Sequence, residues 1–189
     1  MAAVHDDELM NRVREGDTDS LAHLFERHHR PLFRFFFHLS GSAGLAEDLT
    51  QEVFFRMLKF RTTFQKDARF TPWMYQIARN VHVDHTRRRQ TEMPLYDDRS
   101  EMEYEPHEPS LSAELNLLRA SDLAILRKAL QRLPAERREL LVLSRWQNLR
   151  YEEIAAIVQC EPGAVKTRVF RAMRQLSDIF FRMSGRKAS

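Results

Sequence analysis

The chain has 189 residues, of which 43% are hydrophobic and 30% are charged, and its formal net charge is +3. Five glycines and this hydrophobic fraction predict a compact, largely helical protein and exclude a chain that is disordered throughout. The single cysteine, Cys160, excludes an internal disulfide. No signal-peptide pattern and no apolar run of membrane-spanning length occur, so we expect a cytoplasmic protein with no membrane insertion.

Two helices are predicted before residue 40. The first runs through about Glu15, with Asp6 or Asp7 as its cap and Gly16 as its stop. The second carries an apolar stripe between residues 21 and 39 that includes several phenylalanines. These phenylalanines indicate burial in the core, or burial on two sides if a partner also packs there.

The segment 45–58 predicts a third helix with two different faces. Leu49, Val53 and Met57 recur at helical spacing and are expected to pack inward. The residues that face elsewhere are Asp48, Gln51, Glu52 and Phe55. A solvated face is the simpler interpretation of these residues, whereas Phe55 among them favours a protein-binding surface.

Between residues 56 and 91 the charge becomes strongly positive, and aromatic side chains lie among the basic ones. This composition is typical of a site for single-stranded nucleic acid, in which bases stack on aromatic rings. Phe64 and Phe70 are the candidate stacking residues. The helical spacing of Trp73 with later apolar residues predicts instead that Trp73 belongs to the core.

A metal site formed by His82, Asp84 and His85 would indicate an enzyme. Side chains two and three residues apart on a helix do not all converge on one point, so this interpretation is poor. Asp84 is expected to pair with Arg87 or Arg88 instead. The sequence therefore predicts no metal, no cofactor and no catalytic residue.

The segment 92–113 is rich in carboxylates and contains Pro94, Pro106 and Pro109. Low hydrophobicity with strong negative charge predicts an acidic linker that is extended or disordered when alone. We expect this linker to separate a first domain, residues 1–91, from a second domain, residues 114–189. The second domain is predicted to begin with a helix to about Leu133, and Pro134 opens the next helix.

The stretch 151–176 predicts two short helices joined by a tight turn, with Pro162 in the first turn of the second helix. The residues of this second helix that are expected to face inward are Val165, Val169, Ala172 and Leu176. The opposite side carries Ala164, Thr167, Arg168 and Arg171, flanked by Lys166. Such a pair of helices is typical of a helix-turn-helix module.

Helix-turn-helix modules place the exposed residues of the second helix in the major groove of DNA, where arginine can bond guanine. Arg168 and Arg171 are the leading candidates for such contacts. A solvated helix face is the ordinary alternative, but the excess of basic residues after Arg150 favours DNA.

Four motifs in a set order carry a resemblance to a known family. They are Ala46-Glu47-Asp48-Leu49-Thr50-Gln51-Glu52-Val53-Phe54, then Phe70-Thr71-Pro72-Trp73-Met74, then Ile77-Ala78-Arg79-Asn80 with Asp84 and Arg87 to Arg89, and finally Tyr151-Glu152-Glu153-Ile154-Ala155 with Val165-Lys166-Thr167-Arg168. Together they resemble bacterial sigma factors of the extracytoplasmic-function type. The resemblance implies an all-α protein of two domains, region two and region four, that binds core RNA polymerase and promoter DNA.

The resemblance also implies roles for particular residues. Asp48, Gln51, Glu52 and Phe55 would dock on the clamp helices of the largest polymerase subunit, where an anti-sigma factor is expected to compete. Minus-35 recognition would fall to Ala164, Lys166, Thr167, Arg168 and Arg171. Minus-10 recognition would fall to Phe64, Phe70, Arg79, Asn80, Arg87, Arg88 and Arg89. Asn80 is the expected specificity residue, because its amide can donate and accept hydrogen bonds at once.

The sequence departs from the family pattern at two positions. Arg150 replaces the usual serine or threonine helix cap, a change that costs about 1 kcal/mol, and Pro162 lies one position later than usual. The alternative function is a helix-turn-helix transcriptional regulator with a sensor or dimerisation domain in its first half. An enzyme acting on nucleic acid is a more distant alternative.

Overall fold

The computed structural model describes residues 4–92 and 113–185, and within these ranges the chain is helical and contains no strand. Most of the predicted acidic linker, residues 93–112, lies outside the described residues. The helices fall into an N-terminal group before this gap and a C-terminal group after it.

The N-terminal group consists of α1 (Asp6–Glu15), α2 (Asp19–Ser40), α3 (Ala43–Lys59) and α4 (Phe70–Glu92). Helix α2 packs against α1 and α3, and α4 packs against α3. Fully buried rings and methionines fill the space between them, among them Phe35, Phe36 and Met57. Gly16 and Gly41 end α1 and α2 with positive φ angles of 107° and 76°, a conformation that costs glycine nothing.

The C-terminal group consists of α5 (Ala113–Gln131), α6 (Ala135–Leu141), a π-helical turn (Val142–Trp146), α7 (Tyr151–Val158) and α8 (Pro162–Ser184). Helix α8 packs against α5, α6 and α7. The four residues predicted to face inward on α8 are all buried: Val165, Val169, Ala172 and Leu176. The prediction of two helices joined by a tight turn is therefore confirmed.

The ends of α7 show how the sequence compensates for a missing cap. The side chain of Arg150 makes no cap hydrogen bond, but the carboxylate of Glu153 accepts one from the Arg150 main-chain N–H at 2.9 Å. This bond is one half of a capping box and satisfies a helix-start donor. At the other end Gln159 adopts the left-handed conformation, with φ at 55°, and turns the chain toward α8.

The two groups of helices pack against each other. Helix α4 lies along α7, and the end of α2 lies against the π-helical turn and α5. The surface that was expected to recognise the minus-10 element therefore has the other domain as a neighbour.

Candidate nucleic-acid interface

The outer face of α8 is an array of exposed polar and basic side chains. Lys166, Thr167, Arg168 and Arg171 are exposed, and Ala164 is half-buried. Among the described residues, none of the three cations has a hydrogen-bond or ion-pair partner. Because their charges are not neutralised within the fold, this face can accept phosphate oxygens or base edges.

Phe170 lies within this basic face and is 69% exposed, the most exposed of the large hydrophobic side chains in the described ranges. Our interpretation of the sequence did not include it. Its neighbours one helical turn away on either side are Lys166 and Arg174. An apolar residue between two basic ones on the same face is the sequence pattern that could have identified it.

On α4, the predicted minus-10 residues fall into two sets. Asn80 and Arg88 are exposed, and neither makes a hydrogen bond or ion pair within the described chain. Arg87 and Arg89 are exposed as well. Arg79 differs, because its guanidinium is held 3.0 Å from the carboxylate of Glu139 on α6.

The prediction that Phe64 and Phe70 stack on bases is wrong for this structure. Phe64 is 1% exposed and Phe70 is fully buried, so neither ring offers a free face. Phe64 packs edge-on against Trp73 at 5.2 Å between ring centres, and Phe70 lies 5.0 Å from the ring of His28. Both rings anchor the ends of the loop, because burying them removes a large apolar area from water.

Trp73, which was predicted to lie in the core, is only half-buried. Its ring borders an open cavity of about 410 Å³, lined also by Gln65, Arg69, Gln76 and Ala156. Of Phe64, Phe70 and Trp73, only Trp73 is therefore partly exposed.

The carboxylate of Asp84 pairs with Arg56 of α3 at 2.7 Å, whereas the sequence predicted Arg87 or Arg88 as its partner. Arg56 also contacts Glu52 at 2.6 Å and so bridges α3 to α4. The reason is packing: the side chain of Arg56 is only 20% exposed and needs both carboxylates to compensate its charge. Glu52, a predicted polymerase contact, therefore already forms an ion pair with Arg56.

The outer face of α3 presents the remaining predicted polymerase contacts. Asp48 and Gln51 are exposed, and Phe55 is 60% exposed. Phe25 lies on the predicted apolar stripe of α2 but is 40% exposed, and its ring centre lies 4.9 Å from that of Phe54. An apolar surface of this kind beside acidic residues is suited to a protein partner.

Polar contacts between described residues join helix α4 to the C-terminal group. The Tyr75 hydroxyl donates to Gln147 at 2.8 Å, the Gln76 amide donates to the Ala156 carbonyl at 2.9 Å, and Arg79 pairs with Glu139. Burial raises the pKa of the Glu139 carboxyl above its usual value, although Arg79 counteracts the shift. This ion pair helps to hold the N-terminal and C-terminal groups of helices together.

The C-terminal end of α2 forms a second contact between the groups. Arg138 donates to the carbonyl of Leu39, and Gln131 donates to the carbonyl of His38 at 2.9 Å. Carbonyls in the last turn of a helix lack partners within the helix, and a cation there is favourable. The His38 ring lies 4.9 Å from that of Trp146, and burial, with Arg127 and Arg34, lowers the pKa of His38 to about 4.

Within the described ranges, no cluster of three histidine, cysteine or carboxylate side chains is arranged to hold a metal ion. No described helix is both long and apolar enough to cross a membrane.

Comparisons with known proteins place the chain in a family. The model of Sigma-70 region 2 matches residues 24–92, and that of Sigma-70 region 4 matches residues 123–176. The RNA polymerase sigma-H factor of Pseudomonas aeruginosa is 30% identical over 172 residues, a match that spans 88% of this chain and 89% of that protein. The sigma factor CarQ of Myxococcus xanthus is 31% identical over 170 residues, with 90% and 94% covered.

The ECF sigma factor BldN of Streptomyces coelicolor is 32% identical over 171 residues, which are 90% of this chain and 64% of BldN. Among solved structures, that of CnrH in complex with the cytosolic domain of CnrY matches with a TM-score of 0.68 and 23% identity, covering 92% of this chain and 96% of that one. The sigma factor RpoE of Bartonella quintana, in complex with the anti-sigma factor NepR, matches with a TM-score of 0.69 and 25% identity, covering 86% and 96%.

The chain belongs to the sigma-70 family of RNA polymerase sigma factors. Within that family it is an ECF sigma factor, a factor for promoter-specific initiation of transcription. Sigma factors of this kind recognise DNA and are not enzymes. The predicted family and all-α fold are therefore confirmed, whereas the alternative of a sensor or dimerisation domain in the first half is set aside by the region 2 match.

Proposed function

We propose that this sigma factor recognises the minus-35 element with the outer face of α8 and the minus-10 element with α4 and the loop before it. The observation that carries the proposal is the array on α8 of three exposed cations without partners in the described chain, Lys166, Arg168 and Arg171. Basic side chains without partners, on the face of a helix opposite its buried apolar stripe, are best explained by an anionic ligand.

On the minus-10 side, Asn80 has a free amide on the exposed side of α4 and is the proposed specificity residue. Arg88, Arg87 and Arg89 follow on the exposed end of the same helix and would hold phosphates without sequence preference. Arg79 joins this set only after it leaves Glu139. Trp73, and not Phe64 or Phe70, supplies the aromatic surface for a base.

Core RNA polymerase would bind the face of α3 that carries Asp48, Gln51 and Phe55, with Phe25 extending the apolar area. Glu52 contributes indirectly, because it is held by Arg56. Two of the solved neighbours are CnrH in complex with the cytosolic domain of CnrY and the sigma factor RpoE in complex with the anti-sigma factor NepR. We therefore propose that an anti-sigma factor competes for the α3 face of this protein as well.

The test is transcription reconstituted with core polymerase on a library of promoters randomised in the minus-10 element. Asn80→Ala should relax the preference at one position and leave polymerase binding intact. Arg88→Ala should weaken all promoters by a similar factor and flatten the salt dependence, because it would lose one phosphate contact. An unchanged base preference in Asn80→Ala would remove this residue from its proposed role.

A further inference from the structure

Helix α1 lies before residue 24, where the region 2 match begins, and one face of it contacts the loop 64–70. Three side chains on this face reach the loop, and we call them the α1 clamp: Asp7, Asn11 and Arg14. Their spacing of four and then three residues places them on one side of the helix.

Three hydrogen bonds of the α1 clamp end on main-chain groups of the loop, and Asp7 also pairs with the side chain of Arg69 at 3.8 Å. The Asp7 carboxylate accepts from the Phe70 N–H at 2.7 Å, the Asn11 amide donates to the Lys66 carbonyl at 3.2 Å, and Arg14 donates to the Phe64 carbonyl at 3.4 Å. Because these hydrogen bonds are to the backbone, they constrain the course of the loop directly, and the pair with Arg69 adds one contact to a loop side chain.

The bond from Asp7 also determines where α4 starts. Phe70 is the first residue of α4, and its N–H has no acceptor within the helix. A carboxylate at this end is favoured by the helix dipole. Helix α1 is itself tied down, because Asp6 pairs with Arg27 at 2.6 Å and with His28 at 2.8 Å.

The part of the loop between its two anchors is open to solvent. Phe64 and Phe70 are buried at the ends, whereas Gln65, Lys66 and Asp67 are exposed between them. One internal bond, from the Ala68 N–H to the Gln65 carbonyl at 2.9 Å, folds this part into a turn. Gln65 and Ala68 then line the cavity beside Trp73. The turn therefore forms one wall of that cavity, and Ala156 of α7 lies at another.

We propose that the α1 clamp is a positioning element for minus-10 recognition, holding the loop 64–70 at a set distance from Trp73 so that the cavity admits one base in one orientation. This inference rests on the proposed function of α4 and the loop. Asp7, Asn11 and Arg14 act through the loop backbone and are positioning residues. The competing account is that α1 only adds stability to the N-terminal domain.

The experiment uses the full chain with Asp7→Ala and Asn11→Ala, the conservative variant Asp7→Asn, and the control Arg12→Ala. Arg12 is exposed on α1 and pairs with Glu8 of the same helix at 3.1 Å. Hydrogen exchange of the Phe70 amide in the free protein reports the clamp directly. Transcription from the randomised minus-10 library reports base preference, and binding to core polymerase reports assembly.

Asp7→Ala should speed exchange at Phe70 by about tenfold or more, as expected for the loss of one charge-assisted hydrogen bond. The ratio between preferred and other bases at the affected minus-10 position should fall by roughly three- to tenfold in Asp7→Ala and less in Asn11→Ala. Asp7→Asn should retain most of the preference, because its amide oxygen can still accept from Phe70. Arg12→Ala should behave as the wild type, and all four should bind core polymerase normally.

Faster exchange with an unchanged base ratio, or an equal loss of transcription on every promoter, would overturn the inference and leave α1 as a stabilising helix. Asn80→Ala in the same library separates a failure of the α1 clamp from a failure of the proposed minus-10 site. If Asn80→Ala shifts the preference and the clamp variants do not, only the clamp inference fails. If neither shifts it, the proposed minus-10 site fails with it.

Discussion

The guanidinium of Arg79 on α4 lies 3.0 Å from the carboxylate of Glu139 on α6, so a basic residue of the proposed minus-10 surface is neutralised by the domain that carries the recognition helix. Burial raises the pKa of Glu139, and the nearby charge of Arg79 counteracts part of that rise. The same two domains also meet at the C-terminal end of α2. Promoter contact by Arg79 therefore requires this pair to separate.

Glu139→Gln should release Arg79, because it removes the charge and keeps the size of the side chain. We expect the affinity of the free protein for single-stranded DNA that carries the minus-10 sequence to rise by roughly two- to tenfold at low salt. Fluorescence anisotropy measures this affinity. Glu136→Gln, an exposed position on the same helix, is the matched control. An equal rise in both variants would show a general charge effect and no specific release of Arg79.

Two half-buried histidines make stability depend on pH. Burial lowers the pKa of His38 to about 4, together with Arg127 and Arg34, and lowers the pKa of His82 to about 4, together with Arg138 and His85. Since the unfolded chain binds these protons at about pH 6.5, the stabilisation is complete above that pH and is lost as the pH falls toward 4.

Urea unfolding at pH 7.5 and pH 5 should show a loss of roughly 3–4 kcal/mol at the lower pH from these two residues. His38→Gln should reduce that loss, since the amide does not take up a proton. Because His38 contacts Trp146 across the domain boundary, tryptophan fluorescence should change over the same pH range. An identical pH dependence in wild type and His38→Gln would contradict the assignment to His38.

Removal of a single recognition-helix arginine should weaken DNA binding without unfolding the protein. Arg168→Ala or Arg171→Ala should each cost about 1–3 kcal/mol in minus-35 affinity at moderate salt, measured by a mobility-shift titration with holoenzyme. Arg182→Ala, near the far end of the same helix, should have little effect. Unchanged affinity in both of the first two variants would refute the proposed docking of α8.

Val169→Asp should act differently, because Val169 is 1% exposed. An unpaired carboxylate there would be buried, at a cost of several kcal/mol, and should unfold the C-terminal group of helices. Circular dichroism should show the loss of helix. A fully helical Val169→Asp protein would mean that α8 packs less tightly than the structure indicates.

Polymerase binding should depend on the α3 face and not on the fold of the domain. Asp48→Arg and Phe55→Ser should each lower the affinity for core polymerase by at least about tenfold. Asp48→Arg reverses a charge, and Phe55→Ser removes an apolar ring that is 60% exposed and available to a partner. Native gel assembly measures this effect, with circular dichroism as a check on helicity. Glu15→Arg makes the same change of charge on exposed α1 and should assemble normally.

Much of the fold could be predicted from the sequence because the helices follow from the local spacing of apolar residues. The inward stripe of α8 and the turn at Gln159 follow from residues within a few positions of each other, where helix geometry alone decides which side chains share a face. The four motifs identified the family for a similar reason: each is a short run whose order along the chain is visible.

Only the tertiary structure decided which side of each aromatic is covered and which charges meet. Phe64 and Phe70 are buried and Trp73 borders the cavity, although all three lie in one basic, aromatic segment. Asp84 pairs with Arg56, 28 residues away, and Arg79 with Glu139, 60 residues away. Such contacts form only when helices pack together. A periodic pattern of apolar residues predicts that a helix face is buried, but it does not identify the residues that pack against that face.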